Sequence, residues 1–169
     1  MSYNSDIHVT RPSANVVGLT AKDTSATPAA TTLKINTGLT IGSDGGLTSA
    51  SAANGIGYAT GAGGAVTQAT NRTTGVTLSK LCGTITTNNA SLAAEASANF
   101  TVTNTLVAAN DVVVVAIQSG TDGGNTAVSV VTVAAGSFVI KVSNHNAAAG
   151  TAETGAILIN FAVIKAVNA

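Results

Sequence analysis

Four consecutive valines followed by Ala116 and Ile117, the run Asp111-Val112-Val113-Val114-Val115-Ala116-Ile117-Gln118, constrain this chain more than any other stretch. β-branched side chains lose χ1 freedom against the preceding turn of a helix, whereas on a pleated strand they pack well. Successive strand side chains point to opposite faces, so an unbroken apolar run is apolar on both. One face belongs to the domain core. The other requires a second sheet or another subunit. This stretch and Ala156 to Ala166 are therefore expected in the middle of sheets or at a subunit interface.

The rest of the chain supplies strands and little else. Ala96, Ala98, Phe100 and Val102 alternate with Ser97, Asn99, Thr101 and Thr103, which predicts a strand with one apolar and one polar face. Shorter strands are expected in Val66–Ala69, Thr74–Ser79 and Gly83–Thr87, with a turn at Lys80-Leu81-Cys82. Val128–Ala134 leads through a tight Ala135-Gly136 turn into Ser137–Ser143. Only Ser91-Leu92-Ala93-Ala94-Glu95 hints at a helical turn. Strands punctuated by Gly, Asn and Asp turns predict an all-β fold, an antiparallel β-sandwich of jelly-roll type.

Ahead of that domain, residues 1–32 read as an extended arm with one short strand at Val16–Thr20. Residues 33–56 read as a short β segment, with a turn at Ser43-Asp44-Gly45-Gly46 and the start of a Gly-rich hinge. The sandwich domain is assigned to 57–169.

Composition narrows the function. Charged residues are 8% of the chain against a usual ~25%, seven basic balance seven acidic, and the polar surface is left to Thr, Ser, Asn and Gly. No basic stripe exists to track phosphates, so no nucleic-acid partner is expected. No apolar run reaches about 18 residues, so no membrane partner is expected, and Met1–Asn15 lacks the apolar core of a secretory signal. A soluble protein made in a cytoplasm is expected. Near-zero net charge removes self-repulsion, and edge strands without Lys or Glu lack the usual block to edge pairing. A homo-oligomer, a trimer, is the expected solution to the valine problem.

Each candidate chemical site has a plainer reading. Gly55-Ile56-Gly57-Tyr58-Ala59-Thr60-Gly61 imitates a dinucleotide fingerprint but has Thr60 at the third glycine and no helix predicted after it. His8 and His145 are the only histidines, and a zinc site would need further N or S ligands within reach or copies of one His meeting on a trimer axis; a surface His in a turn is the plainer reading. Asp44 and Asp122 each precede Gly-Gly and read as turn formers rather than calcium ligands. Glu95 and Glu153 fall on different loops with no cleft indicated for a glycosidase pair. There is no G-x-S-x-G for a hydrolase triad. Cys82 beside Leu81 reads as a buried small hydrophobe. Asn71-Arg72-Thr73, Asn89-Ala90-Ser91 and Asn99-Phe100-Thr101 match the glycosylation pattern only as an Asn/Thr-rich chain does by chance. No catalytic, cofactor-binding or metal-ligating residue is assigned, and no enzymatic activity is expected.

At this point the residues resemble a known group. Gly57-Tyr58-Ala59-Thr60-Gly61-Ala62-Gly63-Gly64-Ala65-Val66-Thr67-Gln68-Ala69 is similar to the opening of a module found at the C-termini of tailed-bacteriophage structural proteins. The likeness continues through Thr74-Gly75-Val76-Thr77-Leu78, Gly83-Thr84-Ile85-Thr86 and Phe100-Thr101-Val102-Thr103-Asn104. It closes with Asp111–Val115, Ala134-Ala135-Gly136-Ser137-Phe138 and Asn160-Phe161-Ala162-Val163-Ile164-Lys165, covering residues 57–166 in order. It departs at Leu81-Cys82, where the group has Pro or a small polar residue before the glycine, and it does not reach residues 1–50. The resemblance implies a virion structural role with no catalytic residues: head decoration or cement proteins, head fibres and tail-fibre tips. The expectation is a capsid decoration protein whose partners are its own copies and the major capsid protein. The alternative is a fibre tip in which Ser119–Asn125 and Asn144–Thr154 contact host-surface glycans.

Overall fold

The computed structural model describes residues 55–122 and 125–167; the expected arm, the short β segment up to residue 54, His8 and Asp44 lie outside the described residues. Eight strands appear and, among the described residues, no helix: β1 (Gly63–Thr67), β2 (Val76–Thr77), β3 (Cys82–Thr86), β4 (Ser97–Thr103), β5 (Val112–Ser119), β6 (Thr126–Ala134), β7 (Ser137–Asn144) and β8 (Leu158–Ile164). None of the described segments is a helix long and apolar enough to cross a membrane.

The strands form two four-stranded sheets, ordered β1-β3-β8-β5 and β2-β4-β7-β6. The all-β expectation holds, with one correction to its antiparallel form. β1 pairs with β3, and β2 with β4, in parallel, so both sheets are mixed. The cause is the connectivity. From β1 to β6 the chain switches sheet at every connection, so β1 and β3 return to one sheet in the same direction, as do β2 and β4. Only β6 and β7 are joined as a hairpin, through Ala135-Gly136, and Gly136 takes φ +81°, a conformation open to glycine.

Alternation decides what each strand buries. Ala98, Phe100 and Val102 from β4 and Phe138, Ile140 and Val142 from β7 meet Ile85 from β3 and Ile159, Phe161 and Val163 from β8 in one core. The Phe138 and Phe161 rings, one from each sheet, sit 5.4 Å apart between centroids at a tilted 50°, an arrangement aromatic quadrupoles favour. Ser91–Glu95 is not a helical turn. Leu92 bridges to Glu153, and Ala93–Ala96 closes as a tight turn in which Ala96 N donates to Ala93 O at 3.1 Å.

The valine run holds the main surprise. β8 lies inside its sheet between β3 and β5, as expected for a strand apolar on both faces, but β5 is an edge strand. Val113 is buried and Val115 and Ile117 are half-buried against the core, while Val112 and Val114 remain 52% and 50% exposed. β-branched propensity selects a strand; it does not select the centre of a sheet.

Candidate subunit interface

Because side chains alternate, the outward residues of the β1-β3-β8-β5 sheet follow from its register. Val112 stands opposite Ile164, Val114 opposite Ala162 and Ala116 opposite Asn160. On the next strand Thr84 Oγ1 donates to Asn160 Oδ1 at 2.9 Å, and Cys82 lies opposite Ala162. No strand of this sheet contains Lys, Arg, Asp or Glu. Ile164 is 55% exposed, and with Val112 and Val114 it makes an apolar stripe along an uncharged edge. β6, one of the two edge strands of the other sheet, also lacks charge, and its bulge between Val130 and Thr132 leaves Val131 exposed. Neither edge carries the lysine or inward charge that ordinarily discourages strand pairing.

Cys82 corrects an expectation here. It is half-buried at the start of β3 in the outward register, not in the core, while its neighbour Leu81 packs against the core.

The two ends of the sandwich are closed differently. Beside the outer stripe, the buried Asp111 carboxylate binds Lys165 Nζ at 2.5 Å and accepts from Ala108 N at 2.8 Å, and Lys165 Nζ also donates to Leu106 O at 2.9 Å. The Ala108 amide, then Lys165, hold Asp111 below the usual carboxylate range. At the opposite end Arg72 is buried. Its Nε donates to Ala90 O at 2.5 Å, Nη1 to Thr87 Oγ1 at 3.2 Å, and Nη2 to Glu153 O at 3.1 Å and Gly155 O at 2.8 Å. Desolvation lowers the Arg72 pKa, opposed by the charges of Glu153 and Asp122.

Glu153, fully buried, accepts from Gly155 N at 2.8 Å and Asp122 N at 3.3 Å on Oε1 and from Thr126 Oγ1 on Oε2. Asp122 accepts from the Thr154 hydroxyl and amide. Its pKa falls to about 2, chiefly through the side-chain bond with Thr154 and also through the Thr154 amide. Asp122 is thus a tie between two loops rather than a local turn former. Gln68 completes the network, with Nε2 donating to Arg72 O and Thr74 O, and Oε1 accepting from Asn88 N.

The remaining candidates fall as follows. His145 and Glu95 are exposed, and Glu153 sits inside the buried network. Gly55–Gly61 runs through an Ala59–Ala62 turn into β1, and the Tyr58 hydroxyl donates to Val163 O; a strand follows, so there is no helix N-terminus for a pyrophosphate. Asn71 Oδ1 is taken up by Thr73 N, Thr73 Oγ1 and Thr74 Oγ1. Sequence reasoning did not find Arg72, Asp111 or Gln68. For Arg72 and Asp111 the one available signal was a charged residue inside an otherwise uncharged stretch, and Gln68 carried none.

No family model, no curated protein and no solved structure matches the chain.

Proposed function

We propose that this chain is a structural protein of a bacteriophage virion, a capsid decoration protein that assembles as a homotrimer on the head. The single observation that carries the assembly is the uncharged β5–β8 edge with Val112, Val114 and Ile164 exposed on it. Apolar surface of that kind gains about 25 cal/mol per Å² when a partner covers it. Charge-free edges oppose no approach between copies. The resemblance of residues 57–166 to phage structural modules supplies the virion setting.

In this reading the domain is jelly-roll-like, with eight strands in two four-stranded sheets, and departs from a wholly antiparallel jelly roll in its two parallel pairs. Copies that bridge neighbouring capsid subunits bind only the assembled shell, and such binding stabilises the shell by mass action.

Cryo-EM of intact particles tests the assignment. Density for this chain at local three-fold positions on the head is the expected result. Density at the end of a tail appendage would overturn it in favour of a recognition tip. A monomeric mass in light scattering at micromolar concentration would remove the trimer.

A further inference from the structure

On the outer face of the second sheet the register brings together a set of polar residues that the assembly reading does not use. β4 and β7 run antiparallel with Ser97 opposite Ser143 and Asn99 opposite Lys141. The strand period of two puts Lys141, Ser143 and His145 in one row, with Glu95 and Ser97 in the row beside it. These five side chains, with Ala96 and Asn144, line an open depression of about 370 Å³.

Three further observations bear on it. Among the described residues, the charged side chains without a hydrogen bond or ion pair are Lys80, Glu95 and Lys141, and two of those three are in this depression. Glu95 has φ +61°, the one positive φ outside glycine among the described residues. It occupies the third position of the Ala93–Ala96 turn, where a positive φ favours Gly or Asn. A strained residue of this kind persists only where its surroundings hold it, and such residues concentrate at binding sites.

The surroundings do hold it. Buried Asn144 donates through Nδ2 to Leu92 O at 3.1 Å and Thr151 O at 3.0 Å, its Oδ1 accepts from Asn146 N at 3.0 Å, and its own amide donates to Ala96 O at 2.9 Å. The walls are therefore set before any ligand arrives.

We propose that this depression binds a saccharide unit carrying a carboxylate. The row is ordered: Glu95 and His145 at one end, the serine pair in the middle, Lys141 at the other. Four residues of strand span ~13 Å, the scale of one or two sugar rings. The lysine ammonium takes the carboxylate through a charge-assisted hydrogen bond, about twice as strong as a neutral one. The serine hydroxyls donate and accept, and the Glu95 carboxylate accepts from ring hydroxyls at the far end. No aromatic side chain lines the depression, so a sugar is held here by hydrogen bonds and charge rather than by stacking. That favours an acidic sugar over a neutral one. The inference stands apart from the virion reading, because the purified chain needs no capsid to bind a sugar.

The test is an NMR titration of the isotope-labelled full chain with methyl glucuronide, methyl glucoside and acetate. Glucuronide is expected to shift the amides of Glu95–Ser97 and Lys141–His145 and to bind at least about tenfold more tightly than glucoside or acetate. Lys141→Gln should bring the glucuronide down to the glucoside level. Glu95→Gly removes the strained side chain, so it should raise the thermal unfolding midpoint while weakening glucuronide binding about tenfold. No shift at these residues, equal binding of glucuronide and either control, or undiminished binding by Glu95→Gly would each overturn the proposal.

Discussion

The two ends of the sandwich do the same work with different chemistry. At the Arg72 end a buried guanidinium is matched to three carbonyl oxygens and a hydroxyl, and Glu153 and Gln68 tie in what remains of the loops. At the Asp111 end a buried carboxylate meets a lysine that is 53% exposed, and the β6–β7 hairpin needs only two loop residues. The difference follows from how much chain must be organised. Strands β1, β3, β5 and β7 all end at the Arg72 end, and the connections 68–75, 87–96 and 145–157 turn there. Loops without regular pairing leave carbonyls and amides that must find partners once buried. One many-pronged donor and one buried acceptor satisfy several at once. At the other end the buried Asn104 plays the corresponding part for shorter connections, donating to Lys80 O and Gly136 O and accepting from Leu106 N.

The comparison is most exposed to removal of its central donor. Arg72→Met strands Ala90 O, Glu153 O, Gly155 O and Thr87 Oγ1 in a buried site and leaves the Glu153 charge without its neighbour. Breaking a buried charged network by one partner costs ~3–5 kcal/mol, which should appear as a large fall in the urea midpoint. Glu153→Gln is milder. It keeps the shape and an oxygen for the Gly155 and Asp122 amides but removes the charge and puts an NH2 against the Thr126 hydroxyl, which must turn to accept, a loss of ~1–3 kcal/mol by the same measurement. If either variant cost less than disruption of the Asp111–Lys165 pair, the contrast between the ends would fail.

Acid sharpens it further. Both Asp111 and Asp122 have folded pKa values below the ordinary ~4 of an unfolded aspartate. A depressed carboxylate contributes stability that is present above the unfolded pKa and lost as pH falls through the folded one. The urea midpoint should therefore decline between about pH 4 and, for Asp122, about pH 2. Asp122→Asn should flatten that decline while Asp111→Asn leaves the Asp122 part of it in place.

What was legible in the sequence was whatever a single strand displays by itself. Alternation in Ala98–Thr103 gave both the strand and the face it buries, Ser137–Ser143 was legible as a strand, and the position of β8 inside its sheet followed from being apolar on both faces. Relations between strands were not legible. Val112–Val115 looked the same as a central strand, because nothing in a run of valines records whether its second neighbour exists. The parallel pairs depend on connections that cross between sheets, which turn residues do not specify. Arg72 and Glu153 are 81 positions apart, and Asp111 and Lys165 are 54 apart. Only the register, with Val112 opposite Ile164, puts the residue before one strand beside the residue after the other. The polar depression has the same character. Glu95 with Ser97, and Lys141 with Ser143 and His145, each show the period of two, but no local rule says that the two rows are neighbours.

The smallest expected effect belongs to Lys165. Its ammonium reaches Asp111 and Leu106 O, yet more than half of the side chain is in water, where solvent screens the charge and holding a long side chain costs entropy. Asp111 keeps its Ala108 and Ala166 amide donors when the lysine is gone. Lys165→Met should therefore cost under about 1 kcal/mol in urea unfolding and lose even that at high salt. A substantially larger, salt-insensitive loss would mean that the ion pair is the principal closure of its end. The two ends would then be equivalent in strength.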